Sequence, residues 1–598
     1  MFIKQALKCK SIFLVAILIV ATAIANGLYA QAAMTNIPGR KIITLNGKWQ
    51  ILIDPNDAGG RIGVPKDTKA KGKTEFLEYS FDDASLINVP GDFNSQIREL
   101  NYYESTVWYK KTFTYRKTNT RLFIYFGAVN YIADVYLNGE KIGSHEGGFT
   151  PFQFEITGKV KEQNSIVVRV NNQRRKDGIP AMGFDWFNYG GITRDVNLVE
   201  TPASFIEDYF IQLKKGSTDI IKGWVQLNGS RAAQPVHINI PEIKFDQPVT
   251  TDNSGYAAFE FKVKLQLWYP EKPKLYTVNI TAETDDIKEQ IGFRSIETKG
   301  TALLLNGKSI FLKGVNIHEE IGAEKRRAYS EKDALQFLNA AKELGCNFVR
   351  LTHYPHNEYM VRMADKMGIM LWEEIPLWQG IAFGDSVMQP KMNYMLQEMI
   401  ERDKNRSSII IWSLSNETNP GEARDKSLTQ MATLARFKDD TRLIGSAFHR
   451  NTFEKNKVTI YDTLSNILDV VGVNAYLGWY IPWNGDPADY RWTFDFNKPL
   501  IMTEFGGEAL YGHHGAADTA SSWSEEYQEQ LYKNNVAMFK NIPFLRGTTP
   551  WVLYDFRSVN RMHSVYQKGW NRKGLLSETG EKKKAWYIMA AYYKSIGY

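Results

Sequence analysis

The chain has 598 residues, of which 43% are hydrophobic, 23% charged and 13% aromatic, and its formal net charge is +7. This length excludes a single hydrophobic core, and the composition is typical of a folded soluble protein. A small positive charge spread over so long a chain does not indicate nucleic-acid binding. The sequence has no CxxC, HExxH or clustered His/Cys spacing and no glycine-rich phosphate loop, so we expect neither a metal nor a cofactor.

Residues 1–30 have the pattern of a secretory signal peptide. Lys4, Lys8 and Lys10 form a basic start, SIFLVAILIVATAIA is the apolar stretch, and small residues for cleavage follow near residue 30. A membrane anchor is the alternative, although the apolar run is short for a span. Loss of the three lysines takes the formal charge from +7 to +4. We therefore expect a periplasmic or secreted protein that does not associate with a membrane after cleavage.

Two regions of alternating hydrophobic residues come next. Between residues 34 and 200, runs such as LNGKWQILID and NSIVVRVNN are broken by Gly, Asn and Pro, which predicts a jelly-roll-like antiparallel β-sandwich. Within it, Asn138 and Gly139 predict a tight hairpin turn. Residues 201–298 repeat the pattern in DYFIQLKK and GYAAFEFKV, which is typical of a smaller, immunoglobulin-like β-sandwich.

The rhythm changes to strand, helix, strand in residues 299–598. Apolar runs such as LKGVNIH, NFVRLTH, IMLWEEIP and IIIWSLSNE alternate with helical patterns such as SEKDALQFLNAAKELG. Eight such strands over some 300 residues predict a C-terminal (β/α)8 TIM barrel. In these barrels the chemistry lies at the C-terminal ends of the strands, so candidate residues are sought there.

Two strands end in an acid. Glu417 closes the fourth strand and Glu504 the seventh, so both should reach one mouth of the barrel from different sides. Two carboxylates that flank a glycosidic bond are what glycoside hydrolysis requires. The alternative for either acid is a salt bridge to a neighbour. Asn416 before Glu417 and Gly506 after Glu504 favour the catalytic interpretation.

These segments resemble glycoside hydrolase family 2 over the whole mature chain. NFVRLTHYPHNEYM and DKNRSSIIIWSLSNE are similar to two signatures of that family, and DVYLNGEKIGSHEGGFTPF and YGGITRDVNLVE match its amino-terminal sandwich. The resemblance implies retaining hydrolysis of a carbohydrate, with Glu417 as the general acid/base and Glu504 as the nucleophile. Glu417 should enter the reaction protonated and Glu504 ionised. By the same resemblance, the residues that line the sugar subsite are His353, Asn416, Asn474, Tyr476 and Trp551.

GWNRKGL, after the eighth strand, bears on the identity of the sugar. Its Asn571 and Lys573 resemble the Asn-x-Lys pair by which β-glucuronidases of this family hold the sugar carboxylate, and Tyr480 in LGWYIPW matches a tyrosine near that carboxylate. Asp185 in FDWFNYGGI resembles an aspartate that reaches the far hydroxyls of the sugar. The alternatives are an exposed lysine in a basic loop and an aspartate that caps a turn.

Three features depart from the β-glucuronidase pattern. Gln567 stands where those enzymes often have an arginine, and Arg557 and Arg572 are candidates to replace it. WEEIPLWQG, at the third strand, resembles β-galactosidases of the family as much as β-glucuronidases. The connection from Gln379 to the next helix is also short, and lacks a long loop that covers the site in some relatives.

The sequence therefore predicts a retaining exo-β-glucuronidase that releases terminal β-linked glucuronic acid from uronic-acid-containing oligosaccharides during polysaccharide degradation. A β-galactosidase or related neutral-sugar enzyme of the family is the first alternative, and a non-catalytic carbohydrate-binding protein is the second. The family resemblance also implies a homo-oligomer, without fixing the number of subunits.

Overall fold

The computed structural model describes residues 31–231, 233–449 and 451–597. The predicted signal peptide at 1–30 lies outside the described residues. The chain divides into two compact units. The first runs to Gln173 and includes Tyr189–Ala203, and the second comprises Arg174–Asn188 and Ser204 onwards. No described helix is long and apolar enough to cross a membrane.

The first unit is built from antiparallel sheets. The Asn138–Gly139 hairpin is confirmed: it joins two paired strands, and both residues have positive φ (53° and 86°), as a two-residue turn of this kind requires. Buried side chains of the two larger sheets, among them Trp49 and Tyr109, share one core. The six-stranded sheet has the order Leu86–Val89, Gly47–Asp54, Thr106–Thr114, Gln163–Asn171, Ile132–Leu137, Glu140–Glu146. The five-stranded sheet has the order Gln31–Ala32, Phe152–Glu155, Arg121–Phe126, Val196–Thr201, Ile42–Thr44, and Val129–Asn130 pairs with Gly191–Ile192.

The second unit begins with a smaller sandwich. Its strand Ile220–Asn228 alternates between buried and partly exposed residues, as its sequence predicts for a sheet with one face on a core. One sheet has the order Phe205–Leu213, Ile220–Asn228, Tyr256–Lys262. The other has the order Phe245–Thr250, Pro235–Ile240, Tyr276–Thr281, Asp286–Ile291. A three-stranded hairpin sheet, Ile296–Lys299, Ala302–Leu305 and Lys308–Ser309, leads into the barrel.

The barrel is closed by eight parallel strands whose residues are buried throughout most of their length. In order they are Leu312–His318, Phe348–Thr352, Met370–Glu374, Ile409–Asn416, Leu443–Phe448, Val470–Asn474, Leu500–Glu504 and Leu545–Thr548. All eight strands predicted from the apolar runs are present. Two extended segments after the eighth strand, Phe556–Arg557 and Trp570–Asn571, pair with each other and place GWNRKGL beside the barrel mouth.

The helices alternate with the strands less regularly than the sequence predicts. α-Helices follow strands one to four, seven and eight: Glu331–Glu343, Glu358–Met367, Met388–Asp403, Glu422–Lys438, Glu525–Phe539 and Lys584–Ser595. Among the described residues after strands five and six, only the short 3-10 helices Thr463–Asn466 and Pro487–Asp489 occur. A small sheet of Asn451–Glu454, Lys457–Ile460 and Arg491–Phe494 takes the place of longer helices there.

Candidate active site

Three acids lie at the C-terminal ends of barrel strands. Glu504 ends the seventh strand, Glu374 ends the third, and Glu417 directly follows the fourth. Glu417 has a φ of 54°, in the left-handed region that a residue with a Cβ adopts at a cost. The strand therefore ends at Glu417, whose side chain contacts Gln379, in the loop after strand three, and Asn474, at the end of strand six.

Glu504 is buried and held by two donors. Arg350 Nη1 donates to its Oε1 at 2.9 Å, and the Tyr476 hydroxyl donates to its Oε2 at 2.7 Å. Burial raises the pKa of Glu504 above its usual value, and the nearby negative charge of Glu417 acts in the same direction. Arg350 and the hydrogen bond from Tyr476 oppose this rise. Glu417 and Glu504 are therefore electrostatically coupled, as paired catalytic carboxylates must be.

Glu417 accepts two hydrogen bonds from amide side chains. Asn474 Nδ2 donates to its Oε1 at 2.8 Å, and Gln379 Nε2 donates to its Oε2 at 2.9 Å. Its partners are thus neutral, whereas Glu504 faces a guanidinium. The two acids therefore differ in their partners: two amides at Glu417, and a guanidinium and a phenol at Glu504.

A charged network beneath the two acids fixes their positions. Arg350, fully buried in the second strand, donates to Glu374 Oε1 at 3.0 Å and to Asn416 Oδ1 at 2.7 Å. His353 Nδ1 lies 2.7 Å from the same Glu374 oxygen. Despite burial, Arg350 and His353 lower the pKa of Glu374 to about 2. Glu374 is consequently an ionised acceptor that orients its neighbours.

The amide of Asn416 presents a donor without a protein partner. Its Oδ1 accepts from Arg350 and, at 3.2 Å, from Asn474 Nδ2. Its Nδ2 is buried and has no hydrogen-bond partner among the residues that the structure describes. A buried, unsatisfied donor costs free energy unless a ligand accepts from it. This nitrogen is therefore suited to bind a substrate hydroxyl.

Aromatic rings form one side of the site. His353 and Trp551 stack with ring centroids 4.9 Å apart and an interplanar angle of 19°. Trp186 lies with its centroid 5.7 Å from that of His353, and His318 lies 5.3 Å from Trp551. Such flat surfaces pack well against the carbon face of a sugar ring.

Lys573 is almost completely buried, with 1% of its surface exposed. Its Nζ donates to the Tyr480 hydroxyl at 3.0 Å and to Glu508 Oε1 at 3.1 Å. The ammonium also lies 5.8 Å from the ring centre of Tyr476, whose hydroxyl contacts Glu504. Lys573 is thus not the exposed lysine of the alternative interpretation. Through Tyr476 it is also next to Glu504.

Asn571 is also 1% exposed, and its Oδ1 accepts from the backbone N–H of Lys573 at 3.2 Å. Within the described part of the chain, its side-chain nitrogen donates to no residue. Asn571 and Lys573 therefore share one local structure, in which an amide donor remains free beside the ammonium.

Gln567, which stands where an arginine was expected, contacts a carboxylate of the protein. Its Nε2 donates to both oxygens of Glu508, at 3.1 and 3.0 Å. The two arginines expected to replace its charge are elsewhere: Arg557 packs 3.5 Å from the ring centre of Phe187, and Arg572 pairs with Asp555 at 3.2 Å. That expectation is wrong for both, because each guanidinium is already committed outside the Lys573 pocket.

Asp185 lies in the segment that belongs to the second unit, and it does not cap a turn. Its Oδ1 accepts from Ser558, and its Oδ2 accepts from Arg561 through Nε at 3.1 Å and through Nη2. Arg561 also donates to the Tyr480 hydroxyl at 3.1 Å. Asp185 is thereby connected to the pocket that contains Lys573.

Several site residues were not among those predicted from the sequence. Glu374 had a signal, since it is a third acid at a strand end, and Arg350 had one as an arginine inside an apolar strand. Gln379 lies in a loop, and nothing in its sequence context indicated a role in the site. Glu508 and Arg561 were missed because their contacts join distant parts of the chain. No group of three or more metal-binding side chains was found among the described residues.

We expect Tyr476→Phe to shift the pH dependence of the reaction. Loss of the donated hydrogen bond removes a contact that lowers the pKa of Glu504, so this pKa rises further. Since the nucleophile must be ionised, the acidic limb of the kcat/KM profile should move to higher pH, by about one unit. Tyr480→Phe, which removes a hydroxyl bound to Lys573 instead of Glu504, is the control. An unchanged acidic limb in Tyr476→Phe would contradict the account.

A closed eight-stranded barrel with coupled glutamates after its fourth and at the end of its seventh strand defines the class of protein, a glycoside hydrolase. The comparison with family models agrees and is specific. The TIM-barrel domain of glycosyl hydrolases family 2 matches residues 296–596, the sugar-binding domain of that family matches residues 42–202, and its remaining model matches residues 204–294. The chain belongs to glycosyl hydrolase family 2.

Individual relatives cover nearly the whole chain. A β-glucuronidase of Paenibacillus borealis is 26% identical over 93% of this chain and 98% of its own length. Human β-glucuronidase is 25% identical over 95% of this chain and 92% of its own length. Among solved structures, a β-glucuronidase of Ruminococcus gnavus in complex with D-glucuronic acid is similar with a TM-score of 0.80 and 25% identity, over 94% of this chain and 100% of that one.

Proposed function

We propose that this enzyme is a retaining exo-β-glucuronidase. The observation that carries the proposal is the buried Lys573 ammonium, with the free Asn571 amide beside it, a few ångströms from the tyrosine that contacts Glu504. An ammonium has three N–H donors, and Tyr480 and Glu508 take two of those of Lys573 among the described residues. The third can bind the carboxylate of a uronic acid. The names of the bacterial and mammalian relatives support the same assignment.

The reaction proceeds by double displacement. Glu504 attacks the anomeric carbon and forms a covalent glycosyl-enzyme, while Glu417 protonates the departing glycosidic oxygen. Glu417 then takes a proton from water, whose oxygen attacks the same carbon and releases Glu504. The bond configuration at the anomeric carbon is inverted twice and so retained.

The neighbours of Glu504 adjust its reactivity. Burial strips water from the nucleophile, while Arg350 and Tyr476 keep the carboxylate in place for attack. Burial and the Glu504 carboxylate raise the pKa of Tyr476 well above its usual value, so this hydroxyl stays protonated and can donate. The same hydroxyl can donate to the Glu504 carboxylate again as it departs in the second step.

Four further side chains position the sugar and the acid/base. Asn416 Nδ2 donates to the hydroxyl next to the anomeric carbon, which explains its lack of a protein partner. The stacked rings of His353 and Trp551 support the sugar face. Asn474, which binds both Asn416 and Glu417, holds the acid/base in register with that hydroxyl.

The β-galactosidase alternative is weakened by the position of WEEIP. Trp372 Nε1 donates to Glu374 Oε2 at 2.8 Å, and Glu374 in turn holds Arg350 and His353. This motif therefore supports the nucleophile and does not select between neutral and acidic sugars. A neutral substrate would also leave Lys573 and Asn571 without a ligand.

We further propose that the substrate is a uronic-acid-containing oligosaccharide, acted on in the periplasm or outside the cell. The short connection between Glu374 and the helix Met388–Asp403 supports an accessible mouth, and the N-terminal signal pattern supports export. The homo-oligomer implied by the family resemblance stays a prediction.

The test is a substrate panel for the wild-type enzyme. We expect turnover of aryl β-D-glucuronide, little or no turnover of aryl β-D-galactoside, and a higher kcat/KM on an oligosaccharide with terminal β-linked glucuronic acid. Preference for the galactoside would overturn the β-glucuronidase assignment. Equal kcat/KM on the aryl glucuronide and the oligosaccharide would overturn only the proposed substrate class.

A further inference from the structure

The positive charge around Lys573 is partly compensated by the protein. Glu508 is 1% exposed. It accepts hydrogen bonds from the Lys573 ammonium, from the Gln567 amide at both carboxylate oxygens, and from the backbone N–H of Arg572. Lys573 lowers the pKa of Glu508 despite its burial, so Glu508 is ionised. With a neutral glutamine at 567, Lys573 and Glu508 alone sum to no net charge. A sugar carboxylate here therefore needs at least one further cationic donor that points at it.

Arg561 reaches this place from a different part of the chain. Its Nη1 donates to the Tyr480 hydroxyl at 3.1 Å and lies 3.6 Å from Glu508 Oε1, the same oxygen that Lys573 contacts. Its side chain is 24% exposed, so the guanidinium is partly open to solvent. Arg561 thus lies within contact distance of the carboxylate that Gln567 also contacts.

The Tyr480 hydroxyl lies between the two cations. Its oxygen accepts from Lys573 at 3.0 Å and from Arg561 at 3.1 Å, which uses both acceptor positions of a phenol. Its own proton is donated to no residue in the described ranges. Tyr480 as a whole residue is 54% exposed, and this O–H is the one donor that its side chain can offer to a ligand. Three donors therefore converge: an ammonium, a guanidinium and a phenol.

We propose that Arg561 supplies the second cationic donor of the carboxylate subsite through Nη1, while Asp185 pairs with its other edge. Arg561 thereby takes the role of the arginine that Gln567 replaces, and is a specificity-determining residue for the uronic acid. This inference rests on the proposed β-glucuronidase function. The guanidinium acts with Lys573, Asn571 and the Tyr480 hydroxyl on the sugar carboxylate.

Arg561 also connects this subsite to Asp185. Its Nε and Nη2 donate to Asp185 Oδ2, while Nη1 faces Tyr480 and Glu508. One planar guanidinium, whose donors have a fixed geometry, therefore connects Asp185, which the family resemblance assigns to the sugar hydroxyls, with the groups proposed to bind the carboxylate. A role confined to holding Asp185 would affect every sugar equally, which makes the two roles separable.

The experiment compares an aryl β-D-glucuronide with its uncharged methyl ester in wild type, Arg561→Ala and Arg561→Ala/Gln567→Arg. For Arg561→Ala we expect kcat/KM on the acid to fall by about 100-fold, chiefly through KM, and that on the ester by less than about threefold. Restoring an arginine at 567 should recover at least about tenfold on the acid alone. Thermal unfolding of each variant checks that it is folded. If Arg561→Ala does not fold, Arg561→Lys, which keeps the charge, takes its place.

Equal losses on acid and ester would assign Arg561 only to the support of Asp185 and would overturn the proposal, as would no loss on either. The wild type separates this failure from that of the proposed function. If wild type does not prefer the acid to the ester, the β-glucuronidase assignment itself fails. If wild type prefers the acid and Arg561→Ala does so to the same degree, only this inference fails.

Discussion

Replacing Glu504 by Ala should lower kcat by at least about 10⁴-fold, because the nucleophile is lost while the barrel around it is retained. Azide, a small anion that fits the space left by the carboxylate, should partly restore turnover. Its single displacement at the anomeric carbon gives an α-configured glycosyl azide. The measurement is the initial rate on aryl β-D-glucuronide with and without azide, with the product configuration determined by NMR.

Glu454→Ala is a suitable control for this experiment, because Glu454 is an exposed glutamate that pairs with Lys457 in a small sheet and belongs to no barrel strand. It should retain wild-type rates. A Glu504→Ala variant that folds and keeps more than about a tenth of wild-type kcat would contradict the assignment of the nucleophile.

The second large effect concerns Glu417→Ala. Without the acid, a leaving group that needs a proton should depart at least about 10³-fold more slowly, whereas 2,4-dinitrophenolate, which needs none, should depart at a rate much closer to that of wild type. Removal of the base also slows hydrolysis of the glycosyl-enzyme. Azide should attack that intermediate and give a β-configured product, opposite to the one from Glu504→Ala.

The measurement is kcat/KM for a series of aryl glucuronides of decreasing leaving-group pKa. A steep dependence in Glu417→Ala and a shallow one in wild type identify the proton donor. Gln379→Ala, which removes a hydrogen bond to Glu417 but leaves the carboxyl in place, should lie between them. Equal slopes in Glu417→Ala and wild type would mean that another group donates the proton.

The fold was predictable where hydrophobic patterning is strong. The eight barrel strands are buried on both faces and read as continuous apolar runs, and the sandwich strands alternate, so both classes were visible in the sequence. The irregular connections after strands five and six were not, because a small sheet such as Asn451–Glu454 with Lys457–Ile460 lacks a strong periodic pattern.

The site was predictable where residues follow strand ends. Glu417 and Glu504 could be located from the barrel count alone, since topology places strand ends at one mouth. Glu508 and Arg561 could not be located in this way. Glu508 meets Gln567 across 59 positions of the chain, and Arg561 meets Asp185 across 376. Such contacts depend on the conformation of loops, which hydrophobic periodicity does not specify.

Lys573→Met removes the buried ammonium that we propose binds the sugar carboxylate. Methionine keeps much of the volume and removes the charge, and a second variant, Lys573→Met with Glu508→Gln, avoids leaving Glu508 unpaired. The measurement is kcat/KM for aryl β-D-glucuronide and aryl β-D-galactoside, side by side, in wild type and both variants. We predict a loss of at least about 100-fold on the glucuronide in both variants, with no comparable change on the galactoside. The opposite result would contradict the proposed role of Lys573: the wild type turns over the galactoside but not the glucuronide, and neither variant changes the rate on the galactoside.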